Sequence, residues 1–266
     1  MALEKWLVDG EKVIDIELVR NLKVALIAGQ VNIVGHDEPG ARVEVHSVHG
    51  KALKVSIDGD TLEIDHPQLS WDNFIDVFKS FRGSASADVS IMVPRDAVLK
   101  FGVVSASALI SGLTADARIS TISGEVVVDN HRGDLELNAV SGELAVRNHT
   151  GKIAAHTVSG DVTATGEIAR FTCEGVSGNV FLDIAGSPDE VRINTVSGDV
   201  TTRLEAGVAA QYRINTVSGK LQLDDASITG VRGSYTGKYG VLEKNWLDFK
   251  ANTVSGDVSV LHAVTA

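Results

Sequence analysis

The sequence predicts an all-β fold, a right-handed parallel β-helix (solenoid) whose coils each hold about 18 residues. Three features predict it: a recurring tripeptide, alternating apolar positions and recurring corner residues. Val-Ser-Gly or Ile-Ser-Gly recurs at steps of 18, 18, 18, 20, 21 and 37 residues, and its serines are Ser123, Ser141, Ser159, Ser177, Ser197, Ser218 and Ser255. Such a period is typical of a solenoid, in which each coil buries its apolar side against its neighbours.

Alternating apolar residues predict the strands of each coil. The positions three and five residues after each serine are mostly apolar, as in Val126 and Val128, and so are the positions six and four residues before it, as in Leu135 and Leu137. This alternation is the period of a strand with one buried face. We also assign the residue before each serine to the core: Val104, Ile122, Val140, Val158, Val176, Val196, Val217, Tyr235 and Val254.

Two corners are predicted in each coil. The first lies where the inward spacing changes from two residues to three. Asn, which tolerates left-handed backbone and can form amide ladders, suits such a corner. The corner residues are Asn138, Asn194, Asn215 and Asn252, with His156 and Glu174 at the same position in other coils. The glycine after each serine supplies the second corner.

The cross-section and the hand of the coil follow from different arguments. Glycines at nine-residue intervals between Gly124 and Gly160 indicate a roll of two equal halves, whereas three inward columns indicate a triangular helix. Both interpretations stay open at this point. The right hand is predicted because parallel crossover connections are right-handed by default. Tyr235-Thr236-Gly237 is interpreted as a decayed Val-Ser-Gly, one coil after Ser218.

Residues 1–95 predict an N-terminal β cap with a first coil, and residues 96–266 the repetitive solenoid. Residues 22–33 match the coil register, and four further strands follow them. Residues 70–82 predict a short helix with Ser70 as its N-cap. Its apolar face is formed by Phe74, Val77, Phe78 and Phe81. We expect this helix to cover the first coil, because solenoid ends need covering.

Composition limits the function. An apolar content of 44% with only 5% aromatic residues fits a core of stacked aliphatic side chains. The net charge of −11 argues against nucleic acid and anionic membranes as partners. The single cysteine, Cys173, falls in an inward column and is interpreted as a core residue. Because we find neither a signal-peptide pattern nor a stretch of transmembrane length, we expect a cytoplasmic location without membrane insertion.

One outward column carries the candidate ligand-binding residues. Glu125, Glu143 and Asp161 each lie two residues after a repeat serine, one coil apart. We interpret this column as a solvated face, with a cation or sugar site as the alternative. His131 and His149 lie in matching turns, but two imidazoles fall short of a zinc site.

Other catalytic patterns are missing from the sequence. The serine column forms a repeated ladder in which no member has a distinctive His and Asp beside it. No phosphate-binding loop or dinucleotide fingerprint occurs, because every glycine belongs to the repeat. We therefore assign no catalytic residue, no metal and no cofactor.

The repeats also resemble a known family. The residues Val-Asn-Ile-Val-Gly after Gly29, the strand from Ser90 to Pro94 before Leu99-Lys100-Phe101, and the repeated Ser-Gly-Asp/Glu-Val are similar to the bacterial putative-adhesin family of domains of unknown function. The resemblance covers nearly the whole chain. It implies a right-handed parallel β-helix and brings no catalytic residues with it.

These observations predict a non-enzymatic binding or scaffold module with a protein or polysaccharide partner. The alternative is a β-helix that binds or cleaves polysaccharide along Glu125, Glu143 and Asp161. Only residues 261–266 follow the last coil, so we expect that coil to present an uncovered edge. The sequence therefore predicts a homo-oligomer formed through the C-terminal coil.

Overall fold

A computed structural model describes residues 3–67, 85–228 and 233–263. These residues form strands and turns, without any helix among them. The predicted helix over residues 70–82 lies outside the described residues. Within the described ranges, no helix is long and apolar enough to cross a membrane.

The chain divides into two compact units, Met1–Gly133 and Asp134–Ala266. The predicted boundary after residue 95 marks where the regular repeats begin, and it stays a prediction. The described strands of the first unit are β1 (Glu4–Val8), β2 (Lys12–Ile16), β3 (Asn21–Leu26), β4 (Ala28–His36), β5 (Ala41–His49), β6 (Leu53–Asp58), β7 (Thr61–Asp65), β8 (Ser86–Pro94), β9 (Val98–Val103), β10 (Ser107–Ser111), β11 (Ala117–Thr121) and β12 (Val126–Asp129).

The strands of the first unit form two hydrogen-bonded ladders. One runs β1-β6-β7-β3-β9-β11 and the other β2-β5-β8-β4-β10-β12. Pairing is parallel from β7 and β8 onward, whereas β1, β2, β5 and β6 pair antiparallel. Leu22 lies beside Leu99, and Ile33 lies beside Ile110, in agreement with the predicted first coil. The antiparallel strands lie at one end of each ladder, and the N-terminal β cap stays a prediction.

The described strands of the second unit are β13 (Leu135–Ala139), β14 (Leu144–Thr157), β15 (Val162–Gly175), β16 (Val180–Ile184), β17 (Glu190–Asn194), β18 (Val200–Leu204), β19 (Ala210–Ser218), β20 (Leu221–Leu223), β21 (Ala226–Ile228), β22 (Gly233–Tyr239), β23 (Leu247–Ser255) and β24 (Val258–His262). We call β13-β14-β15-β17-β23-β19-β22 the β17 ladder. We call β14-β15-β16-β18-β24-β20-β21 the β18 ladder. Because each coil gives one strand, or half of a long strand, to each ladder, the structure favours the roll of two halves. The predicted right hand stays a prediction.

The C-terminal coil lies inside these ladders. Phe249 in β23 has Val191 of β17 on one side and Tyr212 of β19 on the other. β24 lies between β18 and β20 in the same way. The expectation of an uncovered C-terminal coil is therefore wrong, because β19 and β20 cover it. Tyr235 does not begin a coil either: it lies in β22, which pairs antiparallel with β19 and ends the β17 ladder.

In the second unit, the valine before each serine points outward, contrary to the predicted core. Val158 is 49% exposed and Val196 is 48% exposed. The buried residue at this corner is the threonine one position earlier, such as Thr157. Its Oγ1 donates to the carbonyl of Gly160 at 3.0 Å and accepts the N–H of Gly160 at 2.9 Å. Thr157 suits the inward position because its hydroxyl satisfies backbone groups that valine would leave unpaired.

The glycine after each serine is required by the close approach of successive coils. A Cβ added at Gly160 would lie 2.1 Å from the carbonyl oxygen of Gly142, and one at Gly198 would lie 2.1 Å from that of Gly178. Separations this short are incompatible with a side chain. At Gly256, the atom in the way is the carbonyl oxygen of Gly198, which again places the C-terminal coil next to the β17–β18 coil.

Candidate functional site

The acidic column belongs to both units, and each part is described in its own unit. Glu125 is exposed in the first unit, just before β12. In the second unit, Glu143 and Asp161 occupy adjacent coils and are both exposed. The Oδ1 atom of Asp161 accepts the backbone N–H of Asn179 at 2.7 Å, so this carboxylate stabilises the stacking of coils.

The same bond repeats along the column. Asn179 Oδ1 accepts the N–H of Asp199 at 3.0 Å, and Asp199 Oδ1 accepts the N–H of Asp257 at 2.9 Å. Asp257 Oδ1 in turn accepts the N–H of Lys220 at 2.8 Å. No three His, Cys, Asp or Glu residues of the described chain are grouped so that they could hold a metal ion. The column therefore resembles a structural ladder more than a ligand site.

The serine column also bonds to backbone. The hydroxyl of Ser123 donates to the carbonyl of Val104 at 3.2 Å, and that of Ser159 donates to the carbonyl of Val140 at 3.1 Å. Ser177 makes the same bond, at 3.4 Å. Ser177, Ser197, Ser255 and Ser218 follow one another through parallel pairing, and Ser141 lies in the coil before Ser159. The hydroxyls of Ser123, Ser159 and Ser177 thus have backbone partners, which gives no support to a nucleophilic role.

The two histidines of the matching turns and the cysteine are buried. His131 donates through Nε2 to the carbonyl of Ala115 at 2.9 Å, and burial lowers the pKa of His131. His149 is buried in the second unit. Burial raises the pKa of the Cys173 thiol to about 12, so it stays protonated and unreactive at neutral pH.

Three of the asparagines that the sequence assigns to a corner form an amide ladder. The corner itself is wrong: Asn215 and Asn252 lie inside β19 and β23 and Asn194 ends β17, because the inward threonine keeps the alternation unbroken past the asparagine. Asn252 Nδ2 donates to Asn194 Oδ1 at 2.7 Å, and Asn215 Nδ2 donates to Asn252 Oδ1 at 2.6 Å. The sequence predicts stacked amides, but the structure orders them 194, 252, 215 rather than by position in the chain. Asn138 differs, because its amide donates to Glu136 Oε1 at 3.3 Å.

The coils that hold this ladder share a pattern of outward residues. A cation, an asparagine and a valine follow one another at alternate positions, and alternate residues of a strand point to the same side. We name this surface the triplet face, and its members are Arg192, Asn194 and Val196, then Lys250, Asn252 and Val254, then Arg213, Asn215 and Val217. Sequence reasoning missed it, because the valines were assigned to the core. The signal was visible as Arg-Ile-Asn-Thr-Val, which occurs twice, and Lys-Ala-Asn-Thr-Val.

A groove of about 650 Å³ runs over the amides and valines of the triplet face. Val196 and Val254 are each 48% exposed and Val217 is 62% exposed, so an apolar row borders the amide ladder. Gly233 and Ser234 of β22 line the groove at one end, and Glu174 also borders it. Aligned apolar side chains that remain exposed in a folded chain are typical of an interaction surface.

The cations of the triplet face share carboxylates with one another and with a neighbouring arginine. Glu190 contacts Arg192 at 2.7 Å, Lys250 at 3.2 Å and Arg170 at 3.6 Å. The hydrogen bond from Arg192 lowers the pKa of Glu190. Asp248 is shared in the same way by Arg213, at 2.9 Å, and Lys250. With the neighbouring Arg170, four cations lie beside three carboxylates, namely Glu190, Asp248 and the Glu174 that borders the groove, which leaves a local surplus of one positive charge on a chain of net charge −11.

Parallel ladders, two strands per coil and stacked asparagines define the chain as a β-helical protein. It belongs to the Toastrack DUF4097 family, whose model matches residues 19–261. A search of curated proteins gave no match to this sequence.

Solved bacterial structures match the chain at low identity, and one of the three named here has a TM-score above 0.5. A "putative lipid binding protein" from Parabacteroides distasonis has a TM-score of 0.56 at 12% identity, over 95% of this chain and 97% of that one. A "putative cell adhesion protein" from Clostridium sporogenes has a TM-score of 0.30 at 14% identity, over 98% and 100% of the two chains. A "putative adhesin" from Bacteroides fragilis has 0.38 at 12%, over 94% and 97%.

Proposed function

We propose that the chain is a non-enzymatic β-helical scaffold module of the adhesin type that self-associates through β22. The observation that carries this proposal is the end of the β17 ladder. In the described part of the chain, β22 pairs with β19 alone, which leaves its other edge unpaired. Unpaired strand edges are templates for pairing with another chain. The predicted homo-oligomer is thus proposed at β22 instead of the C-terminal coil.

The sequence of β22 fits pairing with its own copy. An antiparallel two-fold pair centred on Thr236 sets Lys238 opposite Ser234 of the second copy, and Tyr235 opposite Gly237. This register keeps the two lysines apart, whereas like charges directly opposite each other would destabilise the pair. A two-fold arrangement also closes, so it gives a dimer instead of a fibre.

The far end of β22 is held by a cluster of polar residues. The ring of Tyr239 stacks on His262 with 3.8 Å between centroids. His262 Nδ1 lies 3.0 Å from Asp224 Oδ2, and its Nε2 lies 3.0 Å from the carbonyl of Val208. These contacts link β22 to β24 and to the turn after β20. A fixed edge loses little conformational entropy on pairing, which favours association.

The bonding of the polar columns supports a non-catalytic role. The carboxylates of Asp161, Asp199 and Asp257 accept backbone N–H groups, so a polysaccharide site on that column has less support than a scaffold. The cytoplasmic location predicted from the sequence stays part of this proposal.

Light scattering of the full chain at increasing concentration tests the dimer. We expect a dimer at about 50 µM, and we expect Thr236→Lys to weaken association at least tenfold, because the register sets two lysines opposite each other. Thr163→Lys, on an outward position of the β18 ladder, is the matched control and should leave association unchanged. A monomeric parent, or equal effects of the two lysines, would rule out β22 as the interface.

A further inference from the structure

We propose that the triplet face binds an acidic amphipathic α-helix of a partner protein. This inference goes beyond the scaffold role, because it uses an outward face of the β17 ladder and leaves the free edge of β22 unoccupied. It depends on three parallel rows, one of cations, one of amides and one of valines, each with one member in or just after β17, one in β23 and one in β19.

The spacing of the rows matches a helix lying across the strands. Successive coils are about 4.8 Å apart, so three coils cover about 9.6 Å. Helix residues i and i+3 are separated by a rise of about 4.5 Å, and i and i+7 by about 10.5 Å. An apolar helix stripe can thus contact Val196, Val254 and Val217 in turn. An extended peptide has same-side residues about 6.8 Å apart and loses this register after one step.

The width of the face also fits a helix. The cation and valine rows are four residues apart along each strand, which is about 13 Å. A helix with its side chains is about 10–12 Å wide. A helix seated on the valines and the amide ladder therefore brings one flank above Arg192, Lys250 and Arg213.

The charge distribution selects an acidic flank. Arg192, Lys250, Arg213 and Arg170 share Glu190 and Asp248 as ion-pair partners, and Glu174 lies at the border of the groove, so a partner carboxylate on the cation side meets a surplus of one positive charge. The positive charge continues through three coils, which suits a ligand with several acidic groups in series. A single fatty acid has one anionic end, and a polyanion such as nucleic acid has no apolar stripe for the valines. A helix with apolar residues at i, i+3/i+4 and i+7 and glutamates on one flank satisfies both rows.

Fluorescence anisotropy with designed peptides tests this assignment on the full chain. The probe is a labelled amphipathic helix of about 18 residues, with leucines on one stripe and glutamates on one flank. Its controls are the same peptide with lysines for glutamates, and a scrambled peptide of identical composition. We expect the acidic helix to bind at least about tenfold more tightly than either control, and to weaken as salt rises from about 50 to about 300 mM.

Matched variants locate the site. Arg213→Gln and Val254→Ser are each expected to weaken binding at least about fivefold, because each removes one member of a row. Arg203→Gln, in a surface ion pair with Asp183 on the β18 ladder, and Val158→Ser, in the same valine column outside the triplets, should change binding less than about twofold. Circular dichroism melting verifies that all four variants fold.

Three results would overturn the inference. One is equal affinity for the acidic and basic peptides, and another is equal loss in Val158→Ser and Val254→Ser. The third is displacement of the acidic peptide by oleate or by phosphatidylglycerol vesicles, which would assign the face to lipid. Light scattering of the same samples separates these results from a failure of the β22 dimer, because Arg213→Gln and Val254→Ser leave the β22 strand intact.

Discussion

At the residue scale, hydrogen bonding decides which side chain fills the corner of a coil. Thr157 and Val158 are adjacent, and hydrophobicity alone assigns the valine to the core. The structure buries the threonine, because its Oγ1 both donates to and accepts from the backbone of Gly160. The apolar positions away from the corner were predictable from their alternation. The residue at the corner was not predictable, because the alternation of apolar residues does not show which backbone groups need a hydrogen-bond partner.

The exposure of Val196 leads to the first prediction. Val196→Asp should leave the fold intact, since the side chain is 48% exposed. Ile193→Asp should cost several kcal/mol and prevent folding, because Ile193 is fully buried in β17, three residues before Val196. Circular dichroism and thermal melting check both variants. If Val196→Asp were unfolded, the valine column would be inward after all.

A buried histidine in the first unit predicts sensitivity to acid. His66 is fully buried, its Nδ1 accepts the N–H of Ile27 at 3.3 Å, and burial lowers the pKa of His66 from 6.5 to about 4. As the pH falls below about 6.5, His66 is therefore protonated in the unfolded chain while it stays neutral in the folded chain. Stability is complete above pH 6.5 and is lost as the pH falls toward 4. Between pH 7 and pH 5 we expect the titration of His66 to lower the free energy of unfolding by about 2 kcal/mol.

His66→Asn isolates this effect. Asparagine can accept the Ile27 N–H but does not titrate, so the variant should lose less stability than the parent between pH 7 and pH 5. Burial raises the pKa of Asp65, which acts in the opposite direction but is present in both chains. Urea unfolding at the two pH values gives the difference. Equal losses in both chains would mean that His66 is protonated in the folded state.

At the scale of elements, the column two residues after each serine joins neighbouring coils. Asp199 accepts the N–H of Asp257 and donates its own N–H to Asn179 Oδ1. Asp199→Ala should cost about 1 kcal/mol, whereas Asp199→Asn should cost less, because asparagine already fills this role at position 179. Urea unfolding measures both variants. An equal loss in both variants would show that the column stabilises the fold through its charge and not by accepting backbone N–H groups.

Strand positions were more predictable than strand partners. The N-terminal strands β5 to β8 lie where turn residues and alternation predict them. β22 was misread as part of a coil, because the spacing from Ser218 is also one repeat. The sequence Tyr235-Thr236-Gly237 does not distinguish parallel from antiparallel pairing, and the structure shows that β22 pairs antiparallel with β19. The triplet face was hidden for a related reason, since its rows exist only once β23 lies between β17 and β19.

At the scale of the whole molecule, the position of the C-terminal coil affects stability. β23 and β24 each pair on both sides, and Phe249 and Val258 are fully buried. A chain that ends after Gly240 should therefore lose several kcal/mol of unfolding free energy, because two interior strands are removed. Urea unfolding against the full chain measures the loss. Unchanged stability would mean that β17 and β19 can pair directly.

Because β23 lies between β17 and β19, the order of strands in the ladder differs from the order in which they are synthesised. On the ribosome, β19 emerges before β23, so β17 and β19 are both exposed while the strand that separates them has yet to be made. The sequence Arg-Ile-Asn-Thr-Val begins in both strands, so β17 and β19 could pair directly with each other in a regular register. Such a β17–β19 pair would have to dissociate before β23 could insert between the two strands. The most regular part of this chain is thus where a nascent molecule is most easily trapped in a mispaired state.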